Sequence, residues 1–279
     1  MRLLRNALLI FFCVSSLVYV SLTVRERMHR DVTAPVITAE SDQMLLSVSA
    51  TEEEMLQGMT AFDDQDGDVS SSLTVVSLFD FVSKGTRKVN YAAFDSQNNV
   101  GTYIRTLTYT DYHSPRFRCT QPFRFSTGAE TEFMRGVEVE DLLDPNLSSE
   151  IRLTYVSDAE NSVIMQVTNS AGDTSFITIS YSVEDRMDAA VPSVALSQYI
   201  VYTGINEPID PASYIIGTYA NGSVTEFGEY SEYSWENLSW DAGEVNYEIP
   251  GQYRVIYNLF NSEGEPQKQT ELYVIVEGD

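Results

Sequence analysis

Four carboxylates lie close together in the first third of the chain, at Asp63, Asp64, Asp66 and Asp68. Closely spaced carboxylates in a turn supply the oxygen ligands that Ca²⁺ prefers. The segment does not fit the EF-hand loop, because Phe62 stands where the first ligand belongs and no glutamate follows at the required distance. Two interpretations stay open, a hairpin with a structural role and a calcium site.

Aromatic side chains form a second group of candidates, since they alternate with acidic ones in residues 230–247. Exposed aromatic rings can stack on sugars or anchor a protein partner. The alternative is a pair of strands whose aromatic rings belong to the core, joined by a turn at residues 241–243. The candidate ligand-binding residues are Trp235, Trp240, Tyr230 and Tyr233.

Catalytic motifs are absent from the sequence: it contains no G-x-S-x-G, H-E-x-x-H or phosphate-binding loop. His113 and Cys119 could act as base and nucleophile, but no third residue that would orient the histidine can be named. The paired carboxylates of a glycosidase have no spacing to detect, so they stay formally open. We expect a protein that is not an enzyme, with no cofactor other than a possible calcium ion.

Charge and cysteine content narrow the function further. The net charge is −24, although five arginines lie within the first thirty residues. Phosphate backbones repel so acidic a body, which argues against nucleic-acid binding. Cys13 lies in an apolar segment and Cys119 is the second of two cysteines, so no disulfide framework can hold the domains. Their cores must do so.

The N-terminal segment has the length and composition of a membrane helix. Residues 7–24 carry no charge, and the segment is long enough to cross a hydrocarbon core as a helix. No small-x-small cleavage site precedes Arg25, and Phe12 stands before Cys13, where a lipoprotein signal needs a small residue. We therefore expect an uncleaved signal anchor over residues 1–30, with its amino terminus in the cytoplasm and the remaining chain outside.

Three features recur in the same order after residue 30, which indicates tandem repeats. Each repeat begins with a proline ahead of an extended apolar stretch, at Pro35, Pro115 and Pro192. Each ends with an alternating strand, a turn and a last strand, and turn residues lie midway. The predicted hairpin turns begin at Asp95, Asn169 and Asn261 and reach Asn98, Gly172 and Gly264, residue types that tolerate positive φ.

The first repeat resembles the Ig-like domains of bacterial surface proteins. That family has a proline-led first strand, an Asp-Gly-Asp-Val-Ser/Thr turn and a Gly-x-Tyr-x-Val-x-Tyr-x-Ala-x-Asp-x-x-Gly-Asn ending. Arg87 stands where the pattern has tyrosine, and Asn98 where it has glycine. The matching residues are Pro35, Asp66, Gly67, Asp68, Val69, Ser70, Gly85, Val89, Tyr91, Ala93, Asp95 and Asn99. The resemblance implies a β-sandwich and says far less about activity.

The sequence therefore predicts an all-β protein, with three tandem Ig-like β-sandwich domains preceded by one transmembrane helix. The domains are predicted at residues 31–111, 112–186 and 187–279, the second being divergent. The apolar segment predicts a single-pass protein, and the resemblance implies a Gram-positive bacterial envelope protein that serves adhesion, protein interaction or scaffolding outside the cell. Two alternatives stay open, a carbohydrate-binding surface protein and an accessory subunit of an envelope assembly or export machine.

Overall fold

The computed structural model describes residues 2–28, 31–126, 136–157, 161–228 and 231–278. The protein is mostly β-structure in sandwich-like sheets, with one long helix at the N-terminus. Two compact units divide the chain, Met1–Asp111 and Tyr112–Asp279. The predicted all-β fold class and the apolar N-terminal helix are confirmed.

Helix α1 (Arg2–Met28) contains the apolar segment predicted to cross a membrane. Its window Leu8–Arg25 has a mean hydropathy of 2.0, and none of that window is buried within the protein. By length and composition the helix can span a bilayer, and a signal sequence would have the same properties.

After α1, the first unit contains two sheets and one short α-helix. A three-stranded sheet has the order β1-β3-β4, and a four-stranded sheet has the order β2-β7-β6-β5. The elements are β1 (Val36–Ala39), β2 (Gln43–Leu46), α2 (Glu52–Leu56), β3 (Met59–Asp63), β4 (Gly67–Asp68), β5 (Thr74–Ser83), β6 (Thr86–Phe94) and β7 (Val100–Tyr109).

The core of the first unit follows the period of two in β6. Val89, Tyr91 and Ala93 are fully buried, because alternate side chains of a strand point to the same face. The buried hydroxyl of Tyr91 donates a hydrogen bond to the carbonyl of Met55 at 3.0 Å. Helix α2 is thereby attached to the four-stranded sheet.

The second unit contains fourteen strands and one short helix among its described residues. Its sheets have the orders β10-β8, β14-β9, β11-β12-β13, β15-β17-β18 and β16-β21-β20-β19. The elements are β8 (Arg116–Cys119), β9 (Arg124–Ser126), β10 (Val137–Glu140), β11 (Arg152–Ser157), β12 (Ser162–Thr168), β13 (Thr174–Ser180), β14 (Ser182–Glu184), α3 (Arg186–Ala190), β15 (Ser193–Leu196), β16 (Ile200–Gly204), β17 (Ile215–Ala220), β18 (Ser223–Glu226), β19 (Leu238–Asp241), β20 (Gly251–Leu259) and β21 (Thr270–Glu277).

A divided first strand recurs three times along the chain. Its first half pairs antiparallel with the next long strand, as β1 with β3, β8 with β10 and β15 with β17. Its second half pairs parallel with the last strand, as β2 with β7, β9 with β14 and β16 with β21. The division transfers the chain from one sheet to the other.

The predicted hairpins are confirmed. Strands β6 and β7, β12 and β13, and β20 and β21 pair antiparallel around the three predicted turns. Asn98, Gly172 and Gly264 have φ of 64°, 82° and 81°, the left-handed region that asparagine and glycine tolerate.

The second unit has one continuous core to which both of its predicted domains contribute. Phe117 and Met165 come from residues 112–186, and Leu196 and Tyr257 come from residues 187–279. A further division of this unit at residue 187 stays a prediction.

A single glycine limits how the first unit can be altered. A Cβ on Gly101, at the start of β7, would lie 1.9 Å from the carbonyl oxygen of Pro35. We expect Gly101→Ala to lower the free energy of unfolding by more than about 2 kcal/mol, because backbone would have to move. Chemical denaturation measures this. The control is Gly228→Ala, where nothing lies within 4 Å; equal stability of the two variants would contradict the prediction.

Candidate metal centre and aromatic surface

Three buried carboxylates meet at one end of the first unit. Asp31 precedes β1, Asp63 is the last residue of β3, and Asp95 directly follows β6. Each offers one oxygen that lies within 4.8 Å of those of the other two. The residues are only 3%, 1% and 7% exposed. Oxygen-only ligand sets of this kind suit hard cations such as Ca²⁺.

Local hydrogen bonds orient two of the carboxylates. Asp63 Oδ1 accepts from the backbone amides of Gln65 and Asp66, at 2.9 and 3.0 Å. Asp31 Oδ1 accepts from the amide and the hydroxyl of Thr33, at 2.8 and 2.6 Å. The other oxygen of each carboxylate, Oδ2, is buried and has no hydrogen-bond partner.

Asp95 is held by its own turn. Its Oδ1 accepts from the amides of Gln97 and Asn99, at 2.9 and 2.7 Å, and its Oδ2 accepts from the side-chain amide of Asn99 at 2.5 Å. These are the bonds of an Asx turn, which aspartate and asparagine form equally well.

Hydrogen bonds from Thr33 favour the ionised form of Asp31. The hydroxyl and then the amide of Thr33 lower the pKa of Asp31, and they outweigh burial, which acts in the opposite direction. That hydroxyl also lies 2.6 Å from Oδ1 of Asp64, and its single proton can serve only one carboxylate at a time. Donors are therefore scarcer than acceptors around the cluster.

Of the four predicted metal ligands, Asp63 alone belongs to this cluster. Asp64 accepts from Thr33, Asp66 accepts from the amide and hydroxyl of Ser96, and Asp68 accepts from the amide of Ser70. The other two members of the cluster, Asp31 and Asp95, were not among the residues predicted from the sequence. Their signal was present, since one opens the first repeat and the other begins its hairpin turn.

The aromatic candidates are separated by their burial. Trp235 is 52% exposed and Trp240 is 41% exposed. Tyr233 is half-buried and packs against the core of the second unit. Tyr230 lies outside the described residues. The two tryptophans are therefore the candidates that a ligand can reach.

A capped turn and a strand edge position the tryptophans. Ser234 and Asn237 form a capping box around the 3₁₀ turn Trp235–Asn237, and β19 follows directly as an outer strand of its sheet. The ring of Trp235 lies 5.6 Å from that of Phe227, at an interplanar angle of 58°. Trp240 pairs across β19 and β20 with Tyr257. The ring of Trp235 therefore has an aromatic neighbour, and strand pairing fixes the backbone of Trp240.

Cys119 has the properties of a core residue. It is 2% exposed, burial raises the pKa of its thiol to about 11, and its Sγ donates to the carbonyl of Gln121. A thiol with so high a pKa provides little thiolate at neutral pH. His113 Nδ1 lies 2.9 Å from the carbonyl oxygen of Ser114.

One hollow in the second unit contains paired charges. Its volume is about 620 Å³, and Arg124, Glu184 and Tyr219 are among its lining residues. Glu184 contacts Arg124 at 2.8 Å and Lys268 at 2.7 Å. The arginine also donates to the hydroxyl of Ser193. These groups satisfy one another, as structural ion pairs do.

Comparison with known proteins gives weak similarities of fold. No family model matches the chain, and no curated protein matches it. A structure of the CBM51-2 and INT domains of Clostridium perfringens ZmpB with GlcNAc is 19% identical at a TM-score of 0.22, covering 48% of this chain. This chain spans 29% of the length of that structure.

Two further structures match over more of the chain. A lipoprotein of Bacteroides thetaiotaomicron is 10% identical, with 85% of this chain and 98% of the other covered, at a TM-score of 0.20. The sialic acid binding region of a Streptococcus sanguinis adhesin is 10% identical, with 89% and 78% covered, at a TM-score of 0.22. Similarities this low assign neither a family nor a ligand.

The exposure of the tryptophans leads to a stability prediction. We expect Trp235→Ala and Trp240→Ala each to lose no more than about 2 kcal/mol of unfolding free energy, since both side chains are at least 41% exposed. Tyr257→Ala should lose about 3–5 kcal/mol, because that ring is fully buried. Urea denaturation compares them, and global unfolding of either tryptophan variant would show that its ring serves the core.

Proposed function

We propose that this chain is a non-catalytic, single-pass membrane protein that presents β-sandwich units outside a bacterial cell for adhesion, protein interaction or envelope scaffolding. Helix α1 is the observation that carries the proposal. Its apolar window Leu8–Arg25 is unburied within the protein and leads directly into acidic, β-rich units. The resemblance of the first repeat to bacterial surface-protein Ig-like domains supports the same role.

The length and the exposed apolar surface of the helix favour a membrane environment. Its 18-residue window spans roughly 27 Å at about 1.5 Å per residue, close to the thickness of a hydrocarbon core. Apolar side chains such as Phe11 and Leu17 are 74% and 71% exposed, a state that water disfavours. Insertion removes this surface from water, and the helical backbone needs no water because its hydrogen bonds lie within the segment.

The acidic body favours an outside location for the C-terminal units. Arginines flank the apolar segment on both sides, at Arg2 and Arg5 and at Arg25, Arg27 and Arg30, so the flanking charges alone do not set the orientation. A long acidic β-rich body after a single apolar span is typical of a translocated segment. We therefore propose that the lipid bilayer is one partner of this chain and that residues 7–24 anchor the chain in it.

Cysteine labelling tests this topology. In a Cys13→Ser background the remaining thiol, Cys119, is buried and should stay unlabelled. We expect Gly228→Cys to react with a membrane-impermeant maleimide in intact cells, because position 228 is exposed. Asn6→Cys, at the opposite end of the apolar segment, should react only after permeabilisation. Protection of position 228 in intact cells would contradict the proposal.

Carbohydrate binding is the second candidate function, favoured by the exposure of Trp235 and Trp240. Exposed indoles supply flat apolar faces with one polar group, the chemistry that stacks on sugar rings. Neighbouring acidic residues such as Glu236 and Asp241 could accept hydrogen bonds from sugar hydroxyls.

A glycan array probed with the full chain in detergent tests this candidate. We expect a bound glycan to lose at least about tenfold in affinity in the Trp235→Ala/Trp240→Ala variant, since stacked rings contribute most of such a contact. The matched control is Phe176→Ala, which removes an aromatic ring that is 72% exposed on β13. Unchanged affinity of the double variant would exclude this surface as the binding site.

A further inference from the structure

The second unit contains a counterpart of the carboxylate cluster. Asp141 Oδ1 accepts from the amides of Leu143 and Asp144, as Asp63 accepts from the two corresponding amides of its own turn. Asn169 Oδ1 accepts from the amides of Ala171 and Asp173, as Asp95 does from those of Gln97 and Asn99. The two turns therefore have the same local geometry in both repeats.

The counterpart differs in charge, and its polar groups are paired. Asn169 stands where the first repeat has Asp95, and its Nδ2 donates to Asp141 Oδ2 at 3.2 Å and to the hydroxyl of Tyr112 at 2.8 Å. Tyr112 in turn donates to Asp173 at 2.7 Å. Burial, together with this bond to Asp173, raises the pKa of Tyr112, so its hydroxyl keeps the proton that it donates.

In the first cluster, the side-chain amide of Asn99 serves Asp95, and no donor reaches Oδ2 of Asp31 or of Asp63. The structure shows two carboxylate oxygens there, Asp31 Oδ2 and Asp63 Oδ2, that are buried and unpartnered, whereas Asp141 Oδ2 has the amide of Asn169. Carboxylates that share a buried site repel one another and lack the water that would solvate them. A bound cation removes both problems, and the counterpart shows the alternative solution by neutral hydrogen bonds.

The geometry and the ligand chemistry select calcium. Ca²⁺ binds oxygens at about 2.3–2.6 Å, so two ligands on opposite sides of one ion lie about 4.6–5.2 Å apart. The three oxygens of the cluster lie within 4.8 Å of one another, so a single ion can contact all three. The cluster consists of carboxylates alone, whereas Zn²⁺ sites are built mainly from histidine and cysteine.

We propose that Asp31, Asp63 and Asp95 bind one Ca²⁺, and that the ion fastens the segment ahead of β1 to the ends of β3 and β6. Asp31 follows Met28, the last residue of α1, by three positions. The ion therefore acts where the chain leaves the helix. Its role as a membrane-proximal fastening rests on the proposed function, whereas calcium binding itself does not.

Asp63→Asn is the informative variant, since its Oδ1 can keep both backbone bonds while an amide replaces the unpartnered oxygen. Asp80→Asn is the matched control, because it removes one charge from an exposed position on β5 of the same unit. Both tryptophans lie in the second unit, so their fluorescence follows the unfolding of that unit alone.

Thermal unfolding of the full chain in detergent, with Ca²⁺ at about 1 mM or with EGTA, tests the binding. We expect calcium to raise the midpoint of the calorimetric transition of the first unit by about 5–10 °C, with the tryptophan transition unchanged. In Asp63→Asn the calcium response should vanish, while the midpoint in EGTA equals or exceeds that of the parent chain. Asp80→Asn should respond like the parent chain.

A calcium response that persists in Asp63→Asn, or is absent from the parent chain, would overturn the proposal. Isothermal titration with Ca²⁺ gives an independent readout, with an affinity loss of at least about tenfold expected for both Asp63→Asn and Asp31→Asn. Equal affinity of the parent chain and these variants would likewise overturn it.

Trypsin cleavage after Arg30 tests the fastening separately. We expect Ca²⁺ to slow this cleavage at least about tenfold in the parent chain and in Asp80→Asn, and to have no effect in Asp63→Asn, because cleavage requires the local chain to open. Binding without this protection would overturn the fastening and leave the ion site. Neither result depends on the cysteine-labelling outcome that tests membrane topology.

Discussion

The divided first strand of the first unit is the constraint on which its sandwich and its carboxylate cluster both depend. The chain hydrogen-bonds to one sheet through β1, changes sheets, and then pairs through β2 with the last strand of the other. Pro35 directly precedes this strand, and Gly101 allows its carbonyl to lie against the start of β7. A Cβ at that glycine would lie 1.9 Å from this carbonyl oxygen, so the backbone would have to move.

The same pairing explains why carboxylates far apart in sequence meet. In the antiparallel pair of β1 and β3, Val36 lies opposite Phe62. The segment that precedes β1 therefore runs past the end of β3, which places Asp31 beside Asp63. Asp95 belongs to the hairpin that returns the chain into β7, near Gly101. The cluster is a consequence of topology, and its chemistry follows from the residue types that the topology brings together.

Local signals in the sequence were sufficient for the turns and strand ends, and long-range contacts were not accessible from it. Asn98, Gly172 and Gly264 could be predicted as turn residues because their backbone preference acts within a few residues. The partners of Asp63 could not, since Asp31 and Asp95 reach it only through strand pairing. For the same reason the sequence did not separate the exposed tryptophans from the half-buried Tyr233.

The corresponding turns of the two units show how little chemistry separates a candidate cation site from a neutral one. An asparagine in place of an aspartate keeps the acceptor that closes the Asx turn and changes one oxygen into a donor, as at Asn169. The exchange therefore leaves the conformation of the turn unchanged, and it removes one negative charge from the cluster. The proposed calcium dependence would in this way be confined to the first unit, while the second unit would need no ion at the corresponding turns.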